Sequence, residues 1–370
     1  MFDVDIEDGK PPLKLPYNAN QNPYEAAQKF IGDNELPVTY LDQVANFIIT
    51  NTQGANLGES QQTQNPAGDP WGSENRYRPG EAGAPEPSSD ARPRALPQTQ
   101  YLSITTANLP AIRKKIGELN EAAGAEVALS ADELKLLDQL AKQLQTSPRD
   151  PKPQPDQIAA VLKAVTSWPP ANRLPAIDLL RLCAVSPSFA THTTTNEGTI
   201  VDTLASADIF NPSIDKPNNT MLAVRALANM FNTDMGRTVA DGCFDQILDL
   251  VSPFLTSTNK NLSAAVATLH INFAVLTSTS APATEASMRD MRAMKLVDQV
   301  IELLKSQERG GESETIYRGL VALGTLMSLG DEFRKEIGRT KGVKSLTDRI
   351  AKGPLGKETR IKVVIAEMTE

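Results

Sequence analysis

Four apolar helices that repeat one another constrain this chain more than any other feature. The strings LLRLCAV, AVRALAN, AVATLHI and IYRGLVA place Arg181, Arg225, Ala267 and Arg318 at one point of a similar helix, in steps of 44, 42 and 51 residues. Repeats of about 40 to 47 residues built from two or three helices are the mark of armadillo and HEAT arrays. One such unit cannot bury its own apolar face. Neighbours therefore stack, share a core and leave a concave groove lined by one helix from each unit.

The rest of residues 97–370 fits that reading. Leu109, Ile112, Ile116 and Leu119 fall at helical spacing, and Ser130 with Glu133 forms a capping box ahead of Leu134, Leu137, Leu140 and Leu144. Further helices are legible around 158–167, 174–185, 221–232, 262–276, 288–304, 315–329 and 357–368, with no strand pattern between them. Aromatics make up only 5% of the chain, which points to aliphatic helix packing.

Residues 1–53 read differently. Phe2, Val4 and Ile6 alternate with Asp3, Asp5 and Glu7, the period of a half-buried strand, and Asp8-Gly9 is a turn signal before Leu13 and Leu15. Asn22, Pro23 and Glu25 then open a helix with Tyr24, Ala27, Phe30 and Ile31 on one face; a second helix from Thr39 carries Leu41, Val44, Phe47 and Ile48. A hairpin with two short helices is too little to close a core alone, so the chain is expected to start inside a domain. The acidic run from Asp3 does not make a calcium loop, because Gly9 comes one place late and Lys14 takes the slot of the bidentate Glu. Residues 54–96, rich in proline and glycine and poor in aliphatics, are expected to be a disordered linker.

Charge and cysteine content exclude several classes. The net charge of −8 divides into −5 over residues 1–53, −2 over 54–100 and −1 over 101–370, so no basic field for nucleic acid is expected. Cys183 and Cys243 cannot build a disulfide framework, and no apolar run suggests membrane insertion or secretion. A reducing compartment, cytoplasmic and nuclear, fits; the sequons at Asn218 and Asn261 would then stay unmodified. His192, His270 and the two cysteines lie far apart in sequence with no nucleophile signature, and there is no phosphate loop or metal spacing. Neither an enzyme nor a cofactor is expected.

Two sets of strings resemble a known family. LKLPYN, NPYEAAQKF and LPVTYLDQVANFI in residues 1–53 resemble the second half of a PFU domain, the ubiquitin-binding module of the PLAA family. YLSITTANLPAIRKKI, SWPPANRLPAIDLLRL, MLAVRALANMF, NKNLSAAVATLHINFAVL and IYRGLVALGTL are similar to the PUL domain of the same family over residues 97–370, and DPWGSENRYRPG, with Trp71 and Tyr77, resembles a linker motif between the two. The resemblance implies a mainly α chain: an armadillo-like α-solenoid preceded by a small α+β remnant of a PFU domain. A propeller and the first PFU strands precede this point in the family.

The resemblance also implies a non-enzymatic adaptor. The PFU part would bind ubiquitin, and the PUL groove would hold the acidic C-terminal tail of an AAA unfoldase of the valosin-containing protein family. Arg181 and Arg318 match groove arginines that contact that tail, with Arg225 at the equivalent repeat position; an internal ion pair, such as Arg181 with Asp178, is the competing role. Asn229 and Asn272 sit on the same helices, where they could grip a peptide backbone or bridge helices. Phe30 and Phe47 match aromatic positions associated with ubiquitin binding, yet both also belong to apolar helix stripes. The alternative function is a general solenoid receptor for acidic linear peptides with an inactive PFU remnant.

Overall fold

The computed structural model describes residues 2–4, 13–15, 30, 44 and 94–370, apart from 149, 193–197, 214–215, 280–285, 309–310 and 370. The chain divides into two compact units, Met1–Pro87 and Ser88–Glu370.

In the first unit the expected hairpin is present. Strand β1 (Phe2–Val4) pairs antiparallel with β2 (Leu13–Leu15), with Phe2 opposite Leu15 and Val4 opposite Leu13. Leu15, Phe30 and Val44 are buried, the last two in helical conformation. The remainder of the two short helices, Phe47 and residues 54–93 fall outside the described residues; the last residues of the expected disordered linker are ordered instead, because Glu367 binds the amides of Ala95 and Leu96.

The second unit is the helical solenoid. Its first helices are α1 (Leu109–Glu121), α2 (Ala131–Thr146) and α3 (Pro155–Ser167). The Ser130 hydroxyl accepts from the Glu133 amide while the Glu133 carboxylate accepts from the Ser130 amide, which is the capping box read from sequence. Then follow α4 (Leu174–Cys183), α5 (Pro187–Ala190), α6 (Ile200–Ser206), α7 (Pro217–Met230), α8 (Asp234–Gly242) and α9 (Phe244–Val251). The long α10 (Lys260–Thr279) and α11 (Ala286–Gln307) lead to α12 (Ser313–Met327), α13 (Asp331–Lys341), α14 (Val343–Lys352) and α15 (Thr359–Thr369).

One row organises the unit. α4 packs on α7, α7 on α10, α10 on α12 and α12 on α15, so the repeated helices lie side by side along the groove. Phe231, Phe273 and Phe244 fix the middle of the row by edge-to-face contacts at 5.0 and 5.2 Å between centroids. α10 is long and apolar enough to cross a membrane, but 78% of its most apolar window is buried within the protein, between α7 and α12. It is the solenoid's central core helix.

Candidate functional site

The groove of the solenoid is occupied by the chain itself. Residues 95–106, immediately before α1, run across the row from its last helix to its first. Glu367 on α15 accepts the amides of Ala95 and Leu96 at 3.1 and 2.8 Å, and Thr325 on α12 accepts that of Gln98 at 2.9 Å. Asn272 on α10 accepts from the Leu102 amide and donates to the Leu102 carbonyl, both at 2.8 Å. Asn229 on α7 does the same to Ile104, at 2.6 and 2.9 Å. Arg181 on α4 ends the series, donating to the carbonyls of Ile104 and Thr106 at 2.5 and 3.0 Å.

Alternate residues 102, 104 and 106 are gripped, as an extended backbone requires. Both asparagines also bridge helices: Asn229 donates to the Arg181 carbonyl and Asn272 to that of Ala228, each at 2.9 Å. The two roles open in the sequence are thus filled by one amide, and the peptide held is the chain's own. Side chains seal the segment. Tyr101 lies against Phe231 and under the Arg237 guanidinium, and Leu96 sits where a Cβ on Gly324 would collide with it. Glu367 and Thr325 carried no signal in the sequence, since a grip on backbone demands nothing of the residues gripped.

The structure brings the three candidate arginines together in different states. Arg181 is 2% exposed; besides its two carbonyls it binds the Asp178 carboxylate through Nε at 2.7 Å and through Nη2 at 2.5 Å. Its guanidinium is committed inside the protein. Arg318 on α12 pairs with Glu314, one turn earlier, at 2.6 Å and donates to the Thr268 hydroxyl of α10. Glu314 is shared with Arg360 of α15; burial works against its charge, but the two guanidiniums hold its carboxyl below the usual range. Arg225 on α7 is half-buried, and its Nε is buried with no partner. Burial and the like charges of Arg181 and Arg318 push its pKa down, opposed only by Asp178.

Beside this row lies an open depression of about 460 Å³, lined by Ile112 and Lys115 of α1, Leu174 and Asp178 of α4, and Met221 and Leu222 of α7. Residues 96–367 match the PUL domain, and residues 1–56 match PFU, described as PLAA family ubiquitin binding. The chain belongs to the PLAA family.

Relatives within and around that family include ubiquitin homeostasis protein lub1 of Schizosaccharomyces pombe, 30% identical over 90% of this chain and 41% of that protein. Phospholipase A-2-activating protein of Xenopus laevis is 31% identical over 93% of this chain and 46% of its own length; protein DOA1 of Saccharomyces cerevisiae is 27% identical over 90% and 42%. The chain therefore spans less than half the length of these curated relatives. A crystal structure of a PUL and PFU domain superposes with a TM-score of 0.55 at 23% identity, covering 99% of this chain and 96% of that one. The PFU-PUL domain pair of Saccharomyces cerevisiae Doa1/Ufd3 gives 0.51 at 22%, over the same shares, and both show the fold.

The PLAA-type PFU unit contributes Phe30, which is 2% exposed and so serves the interior of its module. Phe47 lies outside the described residues. The thiols are poor nucleophiles: burial pushes Cys183 up to about 12, and Cys243 is raised for the same reason. His270 is fully buried, with Nδ1 2.8 Å from the Val266 carbonyl and Nε2 2.9 Å from the Gln299 side-chain amide. Among the described residues no group of His, Cys, Asp and Glu could hold a metal ion.

Proposed function

We propose that this PLAA-family chain is a non-enzymatic adaptor that joins ubiquitin, held by the PFU unit, to the acidic C-terminal tail of a valosin-containing-protein-type AAA unfoldase, held by the PUL unit. The observation that carries the tail assignment is the row of Arg181, Arg225 and Arg318 on adjacent or near-adjacent groove helices beside an open depression. Guanidiniums present rigid donor forks suited to carboxylates, and the half-buried Arg225 and Arg318 are screened less than surface charge. Asn229 and Asn272 support this site indirectly, by seating the 95–106 segment whose Ile104 and Thr106 carbonyls Arg181 binds. Phe30 supports ubiquitin binding from inside its module, with Phe47 as a contact residue. The adaptor would act in ubiquitin-dependent protein turnover in the cytoplasm and nucleus.

The test is calorimetric titration of the whole chain with ubiquitin and, separately, with a synthetic unfoldase-tail peptide. Both should bind, and tail binding should weaken as salt is raised. Arg318→Glu reverses a charge that acts on Arg225 and should cost about 2 kcal/mol or more of tail affinity while leaving ubiquitin affinity unchanged. A tail peptide that fails to bind, or binds equally well to Arg318→Glu, overturns the assignment. Equal binding of a scrambled peptide of the same charge would favour a general acidic-peptide receptor.

A further inference from the structure

The three arginines occupy one repeat position, yet only two have a carboxylate of their own. Arg181 has Asp178 three residues earlier on α4, and Arg318 has Glu314 four residues earlier on α12. On α7 the corresponding places before Arg225 hold Met221 and Leu222, both buried and apolar. Arg225 is the one residue in 221–230 that is not buried; it has no hydrogen-bond partner among the described residues, and its Nε is closed off from solvent. A half-buried guanidinium without a counter-charge is costly unless something supplies one. Two further cations flank it: Arg181 is spent on Asp178 and the Ile104 and Thr106 carbonyls, and Arg318 on Glu314 and Thr268. Only Nε is closed off in the half-buried Arg225, so its Nη groups face the surface; Met221 and Leu222, one turn earlier on α7, line the open depression.

We propose that Arg225 is the receptor for a carboxylate of the bound acidic peptide, and that Arg181, the more conspicuous arginine, is a positioning residue that holds the 104–106 segment and Asp178 in place. The inference rests on the acidic-peptide reading above and assigns different roles within it. The carboxylate completes the repeat from outside, standing where Asp178 and Glu314 stand for the other two arginines. It reaches the terminal Nη groups, because Nε faces inward. Both sources of a carboxylate, an acidic side chain and a free C-terminus, present the same chemistry to Arg225.

The experiment titrates the whole chain with a short aspartate-rich peptide bearing a free C-terminus, its C-terminally amidated form, and a form with each Asp replaced by Asn. Amide hydrogen exchange at Leu102 and Ile104 is followed alongside. Arg225→Gln should lose about tenfold or more in affinity and show a shallower salt dependence, with the Leu102 and Ile104 amides as protected as in the parent protein. Arg225→Lys should recover part of the loss. Arg181→Gln should weaken binding only together with loss of protection at Ile104, the mark of a positioning role. A loss on amidation identifies a terminal carboxylate, and a loss with the Asn peptide a side-chain one.

Undiminished affinity in Arg225→Gln, with the parent protein binding the peptide, overturns this inference and leaves the acidic-peptide reading standing. So does Arg181→Gln that loses affinity while Ile104 stays protected, since Arg181 would then meet the ligand directly. Failure of the parent protein to bind any of the peptides removes the acidic-peptide reading, and this inference with it.

Discussion

Asn229 holds two parts of the chain with one amide. It accepts from the Ile104 amide, donates to the Ile104 carbonyl and donates to the Arg181 carbonyl, all while fully buried. Asn229→Ala would leave the Ile104 amide and the Arg181 carbonyl without their partner in the interior, at a cost of about 1 kcal/mol or more for each, while the Ile104 carbonyl keeps Arg181. Urea denaturation should therefore show a loss of about 2 kcal/mol, with exchange at the Ile104 amide accelerated more than at core amides; a loss below about 1 kcal/mol would mean that water replaces the asparagine. His270 makes a second prediction, on pH. Burial pushes its pKa below 6.5, against the pull of its contacts with Val266 and Gln299. The unfolded chain then binds the proton more readily than the folded one as pH falls below about 6.5, so stability is full above that value and declines below it. His270→Gln should flatten the decline between pH 6.5 and 5 in melting experiments, leaving whatever part His192, also lowered by burial, contributes.

The repeated helices were legible in the sequence because each is apolar almost all round and recurs at a fixed step, and α4, α7, α10 and α12 lie where those strings placed them. Helices α5, α6, α8, α9, α13 and α14 were not; the longest of them has 11 residues, so an apolar stripe recurs too few times to stand out. The arginine and asparagine positions could likewise be read as groove positions, but not what fills the groove. The Ile104 backbone lies 125 residues from Asn229 in sequence and Leu102 lies 170 from Asn272, and a backbone partner leaves no mark on composition. Only steric need betrays the segment, at Gly324, where nothing larger than hydrogen fits beside Leu96. Gly324→Ala should push the Leu96 side chain off α12; because only the end of that flexible side chain must give way, the cost should be about 1 kcal/mol, the low end of the overpacking range. Faster exchange at the Leu96 and Gln98 amides, with α7 unaffected, would localise the effect; unchanged exchange there would show that the helix shifts instead.

At the scale of the molecule, the segment 95–106 belongs to the second unit, although it precedes the first helix of the solenoid. Residues 54–93 are rich in proline and glycine and poor in aliphatics, the composition of a linker, and limited proteolysis is expected to cut there first. Where the resistant fragment begins tests how the segment is anchored. Glu367, on the last helix, holds the amides of Ala95 and Leu96, and Thr325 holds that of Gln98, so protection should start within a residue or two of Ala95. Proteases need a stretch of free backbone, and amides tied to a helix deny them one. Glu367→Ala removes the outermost anchor and should move the new N-terminus, read by mass spectrometry, inward to about Gln98 without exposing the asparagine-held part. An N-terminus that stays at Ala95 in Glu367→Ala would show that Leu96 packing on α12 suffices, and first cuts within α10 would contradict the division of the chain into these units.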